Sequence, residues 1–153
     1  MRTTPNNKIA KTFPIPINEF GFPDFTNYCP TINGKKLIFK FSITTTDAAG
    51  NINMTLKGNK STNDFQKANL LLQRQGIANL NLPYGVNSTY VNISGKNYTW
   101  HHHEDCQSMM LVEQDVHSFR FGGLNHTGGS AVIEHNSQQL ITNQPILVYP
   151  SPI

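Results

Sequence analysis

At 153 residues with a formal net charge of +3, the chain has the size of one ordinary domain, or one compact core with an irregular arm, and not of two independent units. Hydrophobic residues make up 37% and charged residues only 14%, with uncharged polar residues, above all Asn, filling the difference, which excludes acidic or highly charged disorder. Mild basicity tolerates a polyanion without demonstrating one.

Residues 1–36 carry Pro14, Pro16, Pro23 and Pro30 at spacings that break both a long helix and a central strand, so an extended arm is expected. Its Phe13, Phe20, Phe22 and Phe25 are each worth ~1.5 to 3 kcal/mol on burial and should lie across the core surface. From Leu37 to Ile43 apolar and polar residues alternate with period two, a turn at Asp47 to Asn51 contains Gly50, and Ile52 to Leu56 follows, which together predict a hairpin. Ser61 or Thr62 can cap a helix whose apolar set is Phe65, Ala68, Leu71 and Leu72, with Gly76 ending it. A loop with a short strand at Tyr90 to Ile93 comes next, then a strand from Tyr98 to His103 leaving a Gly95 turn. Met109 to Val112, a short helical segment around Asp115 to Phe119, and apolar runs at Ala131 to Ile133 and Ile146 to Tyr149 complete the chain. Cys29 and Cys106 form no CxxC or zinc-knuckle pattern and can be free thiols or one bridge. No apolar run approaches the roughly 20 residues needed to cross a bilayer, and the N-terminus lacks the apolar core of a signal peptide, so a soluble chain with no membrane partner is expected.

All six histidines fall between residues 101 and 135. Consecutive imidazoles at His101, His102 and His103 would crowd like charges if protonated and waste polar groups if buried unpaired, and a divalent cation removes both difficulties. His117 and His126 can complete its coordination, with Glu104 or Asp105 adjusting the ligands from behind. Because neighbours on a strand face opposite ways, the roles should divide: one imidazole holds the cation while its neighbour takes a proton from an attacking water. The competing readings are ordinary surface or core histidines, and a purely structural zinc site in which Cys106 could be the sulfur ligand. Trp100 either packs the core or stacks on a base, with the core favoured. Gly128-Gly129 either offers amides to a phosphate or forms a turn before a strand at Ala131.

The segment Tyr98-Thr99-Trp100-His101-His102-His103-Glu104-Asp105, then Met110-Leu111-Val112, Asp115-Val116-His117 and His126-Thr127-Gly128-Gly129, resembles the WHH-type nucleases of the HNH/endonuclease VII superfamily. Gly21-Phe22-Pro23-Asp24-Phe25 and Asp64-Phe65-Gln66-Lys67-Ala68-Asn69 resemble the entry segment and preceding helix of such domains, many of which are C-terminal toxin domains of bacterial competition proteins. The resemblance implies a ββα-metal core, with His101, His117 and His126 as metal ligands and His102 as general base, a register slip of one residue exchanging these roles with His102 and His103. In the family the two downstream histidines are about five residues apart, whereas here residues 118–125 intervene. Arg120 in that insertion either meets a phosphate or is a solvated loop cation.

The expected fold is α+β, a small ββα-metal core over residues 37–135 with an N-terminal hairpin, the arm 1–36 and an extension 136–153. The expected activity is metal-dependent hydrolysis of DNA, or of RNA, with Zn, Mg, Mn or Ni as the cation. The resemblance further implies an antibacterial toxin, secreted or delivered to a target-cell cytoplasm and restrained by an immunity protein. The alternatives are a non-catalytic module held by a structural metal, and a degenerate nuclease that only binds nucleic acid or a protein.

Overall fold

The computed structural model of the protein describes residues 15–58, 62–117 and 129–152. Its elements are a 3-10 turn Thr26–Tyr28, strands β1 Thr31–Ile32, β2 Lys35–Lys36, β3 Ile38–Lys40, β4 Thr44–Thr46 and β5 Ile52–Met54, helix α1 Thr62–Arg74, and strand β6 Leu80–Asn81. A second 3-10 turn at Gly85–Asn87 leads to β7 Tyr90–Ile93, β8 Lys96–His102, β9 Ser108–Glu113, α2 Gln114–His117 and α3 Gly129–Ile141. The fold is therefore mixed α+β, built on a curled antiparallel sheet of order β3-β9-β8-β7-β6 with two small hairpins beside it.

Turn chemistry explains how the sheet is threaded. Ser94 and Gly95 both have positive φ and join β7 to β8 in a two-residue loop whose backbone twist suits a right-handed hairpin. Residues Ser108 to Val112 of β9 are all buried, as a strand covered on both faces requires, and their continuous apolar run reads that way in the sequence. Register across the next pair sets Trp100 opposite Leu111, His101 opposite Met110 and His102 opposite Met109.

Trp100 is 1% exposed, and its indole N–H donates to Asn69 Oδ1 at 2.7 Å. Asn69 Nδ2 in turn donates to the carbonyls of Val86 and Ser88, so this buried amide ties α1 to the loop before β7 and to β8 with its polar atoms satisfied. The core reading of Trp100 is the one the structure adopts. On α1 Ala68 and Leu72 are fully buried while Phe65 and Leu71 are half-buried, and Gly76 beyond it has φ +64°, as an αL helix stop needs.

Two expectations are corrected, and one open choice is decided. The run from Leu37 does not form one strand of a hairpin with Ile52 to Leu56: β3 pairs with β9, and the hairpin around Asp47 to Asn51 is made by β4 and β5. Phe41 instead bonds the backbone of Gln107, which continues the β3 edge. The Ala131 run is part of α3 rather than a strand, its Val132, Ile133 and Asn136 forming a buried face at helical spacing. Cys29 and Cys106 are both free thiols, each buried.

Candidate active site

β8 delivers two imidazoles to opposite environments. His101 Nδ1 lies 3.2 Å from His117 Nε2 on α2, and the edge of Phe25 packs against both rings, with centroids 4.9 and 5.4 Å away. The arm thus does more than cover the core: its Phe25 fixes one wall of the site. Asn18 on the same arm donates to Glu104 Oε2 at 2.6 Å. A cavity of about 220 Å³ opens here, bounded by Asn18, Phe25, His101, His103, Glu104 and, from the C-terminal tail, Pro150. Tyr149 of that tail packs edge-on against Phe20 and Phe22, holding tail and arm together beside the opening.

His102 points the other way and is only 6% exposed. Its Nε2 sits 2.9 Å from Asp64 Oδ2 on α1 and its Nδ1 3.1 Å from Ser130 Oγ on the first turn of α3. Asp64 also accepts the amides of Lys57 and Gly58. Burial by itself would raise the Asp64 carboxyl, but the hydrogen bonds from His102 and those two amides outweigh it and hold the group below its usual 3.8.

The loop between β8 and β9 holds the remaining candidates. The amide of Asp105 donates to His103 Nδ1 at 3.1 Å, the same nitrogen lies 3.4 Å from Asp105 Oδ1, and His103 Nε2 lies 3.3 Å from Glu104 Oε1. Asp105 is fully buried and closes the turn by accepting the amides of Gln107 and Ser108 and the Ser108 hydroxyl. Against the upward push of burial, His103 and these donors keep its carboxyl below 3.8 as well. A carboxylate whose folded pKa is depressed stabilises the fold above its unfolded pKa, and the benefit is lost as pH falls through the folded value. Thermal melts should accordingly show stability dropping below about pH 4, and the Asp105→Asn variant should show a shallower acid limb together with a lower Tm at neutral pH.

Two imidazole nitrogens bound at about 2.0–2.1 Å to one tetrahedral ion lie about 3.3 Å apart, so the His101–His117 spacing fits a shared cation. Among the described residues no group of three or more His, Cys, Asp or Glu side chains gathers as a metal cage. His126 and Arg120 lie outside the described residues. Cys106 is fully buried, its Sγ accepts from Asn136 Nδ2 at 3.4 Å, and burial pushes its thiol up to about 11.

The histidines were legible in the sequence, but Asp64, Ser130, Asn18 and Phe25 were not seen as site residues. Asp64 is 38 positions from His102 and Asn18 is 86 from Glu104, and no local pattern announces contacts of that range. A single acid in the first turn of α1 reads simply as a favourable helix-end charge.

Residues 92–136 match the family described as WHH, a nuclease of the HNH/ENDO VII superfamily with conserved WHH. That span covers β8, β9, α2 and the start of α3, hence both His101 and His117 and the Ser130 that meets His102. No curated protein matches the chain. Among the described residues no helix is long and apolar enough to cross a membrane. Residues 92–136 are therefore similar to a WHH nuclease of the HNH/ENDO VII superfamily, and the same stretch holds the His101–His117 pair.

Proposed function

We propose that the protein hydrolyses phosphodiester bonds of DNA, with RNA as the other candidate substrate, at a ββα-metal site formed by β8, β9 and the helices after them. The observation that carries this reading is the 3.2 Å approach of His101 Nδ1 to His117 Nε2 inside the matched segment. Two residues 16 positions apart meet there at the separation of two ligands on one ion. Nucleases of this superfamily are generally dependent on a divalent metal. His101 and His117, with His126 as third ligand, would hold one divalent ion (Zn, Mg, Mn or Ni), which when bound polarises the scissile phosphate and stabilises the leaving oxygen.

His102 serves as general base. His103, which lines the cavity together with His101, is the base that a one-residue register slip would select instead. Glu104 and Asp105 support the histidines from behind, Glu104 through Asn18 and His103, Asp105 through the turn it closes. Arg120 is assigned to phosphate contact. The toxin reading follows the resemblance of the arm and helix motifs: a domain delivered into the target-cell cytoplasm, whose producer carries an acidic immunity protein suited to a basic cleft.

The test is incubation of purified protein with plasmid DNA and with RNA across Mg, Mn, Ni and Zn, with and without chelator. Cleavage that needs an added cation, and that falls by at least about 10²-fold in His102→Ala, is expected. A chelator that unfolds the protein, with no cleavage under any cation, would instead identify a structural metal.

A further inference from the structure

The floor of the cavity lies beneath two walls that come from distant parts of the chain. His101 is 3% exposed, so a phosphate that reaches it must descend through the opening of about 220 Å³. One wall is the arm. Asn18 Oδ1 accepts the amides of Phe20 and Phe22, shaping a tight turn around Gly21 at φ +86°, while its Nδ2 ties that turn to Glu104. The other wall is the tail, where Pro150, Ser151 and Pro152 line the opening. Asn136 on α3 holds this tail by two hydrogen bonds to the Leu147 backbone, each 2.8 Å, and Tyr149 packs edge-on against Phe20 and Phe22. Each wall thus has its own anchor, the arm on the β8–β9 loop and the tail on α3, and an aromatic contact joins them.

Size, charge and surface chemistry all discriminate here between one strand and two. Pockets that take a whole drug-sized ligand run from about 300 to 1,000 Å³, so 220 Å³ holds a phosphodiester and its adjoining sugar and leaves no room for a partner backbone. Glu19 and Asp24 line the arm side, and among the described residues no Lys or Arg lines the cavity. A duplex carries a negative charge about every 1.7 Å of its axis and a single strand about every 3.4 Å, so these carboxylates repel the duplex more strongly. Phe20 lines the cavity and is 47% exposed, which leaves ring surface for a base to stack on, and only an unpaired base can turn to reach it.

We propose that arm and tail form a clamp that admits one unpaired nucleic-acid strand to the His101–His117 site and disfavours duplex. The proposal rests on the nuclease reading above for its chemistry and on the two walls for its selectivity. That selectivity is a ratio and not a bar: negative supercoiling favours strand separation, so supercoiled plasmid stays a substrate at the stretches where its strands part.

Two measurements on the full chain test this, using a single-stranded DNA oligonucleotide and the same sequence paired to its complement. Fluorescence anisotropy in the presence of chelator should show the single strand bound about 10-fold tighter or more, because a duplex must first unpair. With an added divalent cation, kcat/KM for the single strand should exceed that for the duplex by about 10- to 100-fold for the same reason. Tyr149→Ala, which releases the tail from the arm, should narrow both ratios by raising the duplex values. A chain stopped after Gln144 should narrow them further, and Tyr149→Ala, which keeps the Asn136 contacts, decides the matter if that shorter chain fails to fold. Equal binding and equal cleavage of the two oligonucleotides by the wild-type chain would overturn the clamp and leave the nuclease standing. A single-strand preference that survives undiminished in folded Tyr149→Ala would overturn the arm and tail as its source. If no cation supports cleavage of either oligonucleotide, the nuclease reading falls, and the anisotropy ratio by itself still decides whether the clamp selects single strands.

Discussion

His101→Ala and His117→Ala are each expected to lower cation-dependent cleavage by about 10³-fold or more, and the double variant to lose little beyond either single one. Groups that act as a unit are strongly non-additive, since removing either member already disables the whole. The physical basis is the 3.2 Å contact between the two rings on one face of β8: an ion held by both loses a ligand, its orientation and its charge placement when either ring goes. Initial cleavage rates at saturating cation, with metal affinity measured in parallel by titration calorimetry, separate this from unfolding. Two additive losses would mean that the rings act independently and would remove the shared-ion site. Phe25→Ala offers a graded counterpart, since it withdraws the ring that packs against both imidazoles without touching a ligand.

Gly129→Ala should be the most disruptive small substitution in the site. A Cβ there would lie under 3 Å from backbone atoms of His102 and His103, and backbone cannot swing aside as a flexible side chain can. Overpacking of this kind costs about 1 to 3 kcal/mol when side chains can adjust and more when they cannot, so a loss of about 3 kcal/mol or more is expected in denaturant unfolding. If α3 is displaced instead, the loss will appear as reduced kcat with the sheet intact, because Ser130 moves with the helix. An alanine variant with wild-type stability and activity would show that α3 does not sit against the β8–β9 loop. Of the Gly128-Gly129 pair, the second member thus has a steric explanation: close backbone approach at the start of a helix, not a turn into a strand.

Local chemistry in the chain was enough to place most of β7, β8, β9 and α1. Their periodicities and the Ser94-Gly95 and Gly76 stops are short-range signals, and short-range signals survive without knowledge of partners. The clustering of histidines and the Trp-His-His motif likewise marked the segment that matches the WHH family, because that motif is written in residue types. Partnership was a different matter. That β3 pairs with β9, that Ala131 to Ile133 lies on a helix, that an arm residue walls in His101 and His117, and that Asp64 and Ser130 grip opposite edges of His102 all depend on contacts between residues far apart in sequence. Such contacts are chosen by the packing of the whole core, where burial of Trp100 and the apolar run of β9 sets the positions of α1 and α3, and no window of neighbouring residues contains that information.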